Sequence, residues 1–349
     1  MGCDEVTLLI RDSSPKNALR KIGLDKDIAA TLVADLFRSG IAIERSCEVS
    51  NIVVPSSTSA DGTIVPLKIS LKNKGLKSDR PDNSVQELKC DAYIAAVGRL
   101  SNTDNLNLEA VGIEIDEYGG IAVDNLLRAK GTPDLNVYGA GDVLGRPFLA
   151  STGVAQGVAA VKNMFSSLQP SINNPTPSQC GPNDESCLLE EDLLNQAAGY
   201  DPTTLTANPF AFPVGVWSSP EAAYYGLSVQ QAEELGIDAG EGIALYAECL
   251  RGLVFSPNGL LKLVFQKSTG RIVGVHICGD DACELIHYGM EVVKTRRSIY
   301  DVANSLYSAV TYHEMYRIAA LSCMDPKAAR KSRAAAGRAL AQRRRKSSN

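Results

Sequence analysis

The spacing of apolar positions changes several times along the chain, and each change marks an element. Residues 5–11 (EVTLLIR) form a short β-prone run, and Ile28, Leu32, Leu36 and Phe37 recur at helical spacing between Lys26 and Ser39. A strand followed by a helix that ends at Gly40 is predicted, because glycine closes helices in the left-handed region. Ile41 to Ile43 would begin the next strand. Three alternating stretches around NIVVP, IVPLKISL and ELKCDAYIAAV, separated by turn-rich SSTSADG and KNKGLKSDRPDN, predict a β-meander. The last of these, DAYIAAVGR, is apolar on both faces, as a strand buried in a sheet would be.

Strands and turns continue up to Val137–Asp142 (VYGAGD), after which VAQGVAAVKNMF predicts a helix with small residues along one side. Residues 166–208 are polar and rich in Pro, Asn and Ser, which predicts an inserted, largely disordered linker. From Pro209 the pattern gives a helix at Val229–Leu235, strands at GIALYAECL, GLLKLVFQ and RIVGVHIC, and a helix at ACELIHYGMEVVK. Strands in succession followed by helices indicate a separate α+β domain behind an α/β region.

At 349 residues there is room for two or three compact units. No apolar run approaches the ~18 residues that span a bilayer, so no membrane association is expected and the cytoplasm is the default compartment. The start, MGCDEV, has the glycine of a lipidation signal but Val6 where that signal needs Ser or Thr. Nine cysteines lack metal-type CxxC spacing, so buried reduced thiols are expected and no metal site. Cys278 and Cys283 in CGDDAC have the four-residue gap of a redox pair, but they fall between a strand and a helix late in the chain. The net charge of −5 hides a basic tail, residues 325–349, with nine Lys or Arg and one acidic residue. No aromatic residues are interleaved there, so a solvated helix or coil is expected rather than a nucleic-acid surface.

The candidate chemistry lies in VYGAGDVLGRPFLASTGVAQG. Here VY would close a strand, and Gly139 and Gly141 would let the backbone approach a ligand. Asp142 would then sit at the carboxyl end of a parallel strand, where open α/β sheets bind ligands, ready to accept hydrogen bonds from sugar-like hydroxyls. A helix starting near Leu149–Ser151 would aim its positive end at the same place, where it would stabilise an electron-rich ligand edge. An ordinary strand–turn–helix with a surface aspartate is the plainer reading of the same string.

That string, with DAYIAAVGR before it and the α+β domain after it, resembles the pyridine nucleotide-disulfide oxidoreductase superfamily, and within it the soluble transhydrogenase branch. The resemblance covers about Gly2 to Asp325 apart from 166–208. It implies FAD as cofactor with NADP(H) and NAD(H) as substrates. Asp142 would bind the flavin ribitol, Gly141 would approach it, and Leu149, Ala150 and Ser151 would present backbone to the isoalloxazine edge. Gly98 in AVGR would line the nicotinamide nucleotide site. In LLIRDSSPKNALR, Arg11 and Arg20 resemble the arginines that clamp a 2′-phosphate, which fits guanidinium chemistry, although two solvated arginines would look the same. The implied domains are 1–97, the remainder of an NAD(P)-binding domain with the β-meander; 98–165, part of an FAD-binding domain; and 209–324, a dimerisation domain that makes a homodimer. Partial Rossmann-like units followed by an α+β dimerisation domain are therefore expected.

Two departures matter. Disulfide-reducing members carry His-Pro-Thr-x-x-Glu, with the His as acid–base group. This chain retains Glu314, but Ala309 occupies the His position, and His313 is four residues out of register. Hydride transfer between nucleotides through flavin needs no thiol partner, so the change favours transhydrogenase-like chemistry. The chain also has no GxGxxG after a strand in its first residues, although such loops hold dinucleotide pyrophosphates. A piece of a longer protein is expected on this reading. A non-catalytic dimerising fragment and a glutathione-reductase- or dihydrolipoamide-dehydrogenase-like enzyme remain alternatives.

Overall fold

The computed structural model describes residues 3–55, 65–73, 85–116, 119–124, 126–132, 137–145, 148–165 and 212–327, with Lys331 and Ala334. The predicted linker at 166–208 and most of the basic tail lie outside them. The chain divides into two compact units, one made of Met1–Ala95 with Pro213–Asn349 and the other of Ala96–Phe212.

At the start of the first unit, β1 (Thr7–Leu9) pairs in parallel with β2 (Ala42–Glu44). Between them lie α1 (Pro15–Lys21) and α2 (Lys26–Arg38). No apolar period announces α1, because none of its seven residues is buried, and proline at its first turn starts it. Asp25 caps α2, its Oδ1 accepting the Asp27 N–H at 2.8 Å. Ile28, Ala29, Leu32 and Val33 form the buried stripe, and Gly40 follows with φ 80° in the left-handed region.

The meander consists of β3 (Cys47–Val53), β4 (Leu67–Asn73) and β5 (Val85–Cys90), antiparallel in that order around Cys47, Ile69 and Leu71. It ends earlier than expected. DAYIAAVGR is not a strand, and Ile94 and Val97 are 86% and 74% exposed. Among the described residues no strand pairs with this segment, and Tyr93 packs against the meander core while Ile94 stays exposed.

The second unit contains no extended strand among its described residues. Isolated antiparallel bridges (Ile115 with Ile121, Val123 with Ala129, Arg128 with Tyr138) surround a core of Leu108, Ile113, Ile121, Leu127, Leu144 and Ala160. The long helix among those residues is α3 (Ala150–Met164). Here too the expectation needs correction, since Asp142 does not follow a parallel strand. The Val137 carbonyl accepts from Ala129 N at 2.9 Å and Gly139 N donates to Leu127 O at 3.0 Å. These bonds pair one edge of the segment with residues 127–129, and among the described residues no strand pairs in parallel along the other.

The rest of the first unit is a five-stranded antiparallel sheet of β6 (Val214–Val216), β7 (Ala222–Gly226), β8 (Ala239–Leu245), β9 (Leu260–Gln266) and β10 (Ile272–Cys278). Its spatial order is β6-β7-β10-β9-β8. With it come α4 (Val229–Glu234), α5 (Leu250–Phe255), α6 (Ala282–Lys294), α7 (Ile299–Asn304) and α8 (Glu314–Met324). All seven residues of β10 are buried, so both faces of the sheet are covered there. A Cβ on Gly289 of α6 would lie 2.8 Å from Val275 Cγ1, which fixes the closeness of α6 to one face. His276, the next residue, points the opposite way and is the register partner of Lys262 on β9. Toward these two comes the start of α2. Lys262 is fully buried, and its Nζ meets Asp25 Oδ1 at 3.0 Å, Asp27 Oδ2 at 2.7 Å and Glu241 Oε2 at 2.7 Å.

Candidate functional site

The turn at Gly141–Asp142 is built by glycine packing and held by side chains on neighbouring elements. Leu144 is buried at its base, and a Cβ on Gly120 would stand 2.8 Å from the Leu144 backbone, so only glycine fits there. Gly141 has φ 80°, where a side chain would be strained. Its N–H donates to Gln156 Oε1 at 2.6 Å, tying the turn to the second turn of α3. Ser101 Oγ donates to the Asp142 carbonyl at 2.9 Å, and Arg99 Nη1 donates to the Phe148 carbonyl at 3.4 Å. The segment after Gly98 therefore braces both ends of the 142–148 stretch.

This leaves Asp142 exposed in a short 3-10 turn, with Leu149 as the N-cap of α3. No side chain caps the helix, so the first-turn N–H groups that include Ala150 and Ser151 present the positive end of a 15-residue dipole. A Cβ on Gly153 would approach Gly141 Cα at 3.3 Å, so small residues let helix and turn meet. Thr152 Oγ1 is buried without a hydrogen-bond partner, a polar atom that a ligand could satisfy. The chemistry fits a ligand with ribitol-like hydroxyls and an electron-rich edge. Gln156, Ser101, Arg99 and Thr152 were missed in the sequence. Gln156 alone carried a signal, a large polar side chain on a helix face otherwise made of small residues.

The residues expected at a nicotinamide nucleotide site are spread over separate elements. Gly98 has φ 122° with open space around it, so its backbone needs glycine. Arg11 lies 3.9 Å from Glu48 and is largely exposed. Arg20, in the last turn of α1, donates from Nη2 to Gln230 Oε1 at 2.6 Å.

Thiol chemistry finds little support in the geometry. Cys278 and Cys283 are both free and buried, and burial pushes each thiol up to about 12, the reverse of what a reactive thiolate needs. Ala309 is exposed, and Glu314 accepts the Thr311 N–H at 3.3 Å as a helix-start contact. His313 is the N-cap residue of α8 and packs against Tyr288 and Tyr316. Among the described residues no cluster of His, Cys, Asp and Glu could hold a metal ion. No helix among them is long and apolar enough to cross a membrane.

Two family models match the chain. The pyridine nucleotide-disulphide oxidoreductase model covers residues 1–157, and the dimerisation domain of the same family covers 212–320. The chain belongs to this family. A soluble pyridine nucleotide transhydrogenase of Erwinia tasmaniensis is 27% identical over 306 residues, which is 86% of this chain and 53% of that protein. One from Photorhabdus laumondii is 28% identical over 86% of this chain and 54% of its own length. The chain thus spans about half the length of the curated relatives it matches. Among solved structures, the Cu(II) complex of the HOCl-induced flavoprotein disulfide reductase RclA from Escherichia coli superposes with a TM-score of 0.65 at 18% identity, covering 91% of this chain and 58% of that one. LpdA from Mycobacterium tuberculosis gives 0.64 at 18%, covering 91% and 56%. At that identity the likeness speaks to fold, and the fold is the family's mixture of α/β units and an α+β dimerisation domain.

Proposed function

We propose that this chain forms part of an FAD-dependent oxidoreductase that passes hydride between NADPH and NAD, working as a homodimer through residues 209–324. The observation that carries the reading is the Gly141–Asp142 turn locked to the uncapped start of α3. It supplies hydroxyl recognition and a positive helix end in one place.

On this reading Asp142 accepts hydrogen bonds from the ribitol hydroxyls, and Gly141 keeps that approach open. Leu149, Ala150 and Ser151 offer backbone to the isoalloxazine edge, and Thr152 Oγ1 gains the partner it otherwise lacks. When bound there, flavin would supply the two-electron chemistry for hydride exchange between the two nucleotides. Helix α3 favours the charge that accumulates on the reduced form. Gly98 borders the nucleotide, and Arg11 and Arg20 meet a 2′-phosphate. Ala309 in place of an imidazole, with both CGDDAC thiols held protonated, supports hydride transfer without a disulfide step.

The test is a half-reaction pair on the protein purified as its own cell produces it. NADPH should bleach the flavin band near 450 nm, a wavelength typical of flavins rather than of this chain. Added NAD should restore the band. Bleaching that only a disulfide substrate reverses would instead support a disulfide reductase.

A further inference from the structure

The corner between α1 and α2, residues 20–27, touches the dimerisation domain at three points. Arg20 Nη2 donates to Gln230 Oε1 at 2.6 Å. Tyr224 Oη on β7 donates to the Ile22 carbonyl at 2.9 Å, and Lys262 on β9 holds Asp25 and Asp27. The fit is close, since Gly23 has φ 93° and a Cβ there would collide with the Tyr224 ring. Helix α1 has no buried residue of its own, and this corner anchors its last turn, where Arg20 lies.

Gln230 meets Arg20 from a rigid base. It sits in the first turn of α4, whose start is fixed by the capping box of Ser228 and Gln231. Its side-chain oxygen is a neutral acceptor, so it orients the guanidinium without cancelling the charge. Asp12, on the loop ahead of α1, is taken by Lys21 at 2.9 Å, and among the described residues Arg20 forms no ion pair. Both Arg20 and Gln230 are exposed, so an anion can reach the remaining guanidinium N–H groups. An arginine held in one orientation with its charge intact loses less freedom on meeting a phosphate than an untethered one.

We propose that Gln230 is a positioning residue for Arg20 and thereby sets the preference for a 2′-phosphorylated nucleotide. The proposal rests on the reading that Arg20 meets that phosphate, and it is independent of the flavin turn.

Equilibrium titration of the whole protein with adenosine 2′,5′-bisphosphate, and with 5′-AMP as the control without the 2′-phosphate, tests this at matched ionic strength and needs no hydride transfer. The bisphosphate is expected to bind more tightly than 5′-AMP. Gln230→Ala should weaken bisphosphate binding about threefold to tenfold, the worth of one hydrogen bond, and leave 5′-AMP unchanged. Gln230→Glu should weaken it at least about tenfold, because it keeps the contact but neutralises the cation. A merely structural contact would leave that variant binding normally, and an acid in the first turn of α4 suits the helix. In an Arg20→Ala background, Gln230→Ala should cost nothing further. The proposal is overturned if either Gln230 variant binds the bisphosphate as tightly as the unaltered protein, if 5′-AMP weakens equally, or if the Gln230→Ala loss persists without Arg20. If the bisphosphate gains nothing over 5′-AMP, or Arg20→Ala leaves its binding unchanged, Arg20 has no 2′-phosphate role and the proposal falls with it. The flavin half-reactions test hydride transfer separately.

Discussion

The backbone N–H of Gly141 lies 2.6 Å from Oε1 of Gln156, so the turn that presents Asp142 and the helix that follows it move as one piece. Gln156 does not reach the ligand in the proposed reading, yet its bond to Gly141 fixes the turn that does. Replacing Gln156 by Leu leaves a partly buried donor without a partner. The expected cost is about 1–3 kcal/mol of stability, with weaker flavin retention. Gln156→Glu keeps an acceptor and should stay nearer the unaltered protein. Urea unfolding and flavin absorbance after gel filtration compare the two, and equal behaviour of both variants would contradict this role.

Lys262 is the counterpart device in the dimerisation domain. Removing it leaves Asp25, which is only 3% exposed, with its charge uncompensated. Lys262→Met should therefore destabilise the protein by about 3–5 kcal/mol. The double variant with Asp25→Asn should recover much of that, because asparagine still caps α2. Denaturant midpoints of the two variants decide it.

His276 gives the same region a pH dependence. Its Nε2 lies 3.0 Å from the Leu227 carbonyl, which can only accept, so Nε2 carries the proton and Nδ1 is left without a partner. Burial pushes its pKa below the ordinary imidazole value, with Asp25 and Glu241 pulling the other way and Lys262 adding to the depression. The unfolded chain takes up the proton below about pH 6.5 while the native imidazole stays neutral, so stability falls as pH drops through that window. The slope from this group is at most about 1.4 kcal/mol per pH unit. His276→Gln should remove that component in melts recorded across the window, and an unchanged profile would refute it.

Arg20 tests nucleotide preference. Arg20→Ala should raise KM for NADPH by about 10–100-fold, the worth of a charged hydrogen bond of about 1.5–3 kcal/mol, and leave KM for NADH little changed. Steady-state kinetics with both nucleotides separates this from a general loss of fold, which would affect both.

Local chemistry in the sequence was the most legible. The helix over ACELIHYGMEVVK, the strands at GLLKLVFQ and RIVGVHIC, and the closing glycine of α2 follow from period and end signals that the chain carries within a few residues. Long-range partners were illegible. Lys262 sits in an apolar strand and finds Asp25 across 237 positions, a distance that no periodicity spans. DAYIAAVGR reads as buried because its faces are apolar, but burial also requires a neighbour, and Ile94 remains open. At the candidate site the glycines and Asp142 stood out, whereas Gln156, Ser101 and Thr152 act through contacts that only the folded chain brings together.

The most direct test of the account is the absorbance spectrum of the protein isolated from its own cell, before and after NADPH and then NAD. The account predicts a tightly held flavin that NADPH bleaches and NAD restores, with Asp142→Ala losing the flavin while keeping its fold. Protein that is folded and dimeric but shows no flavin band would contradict it.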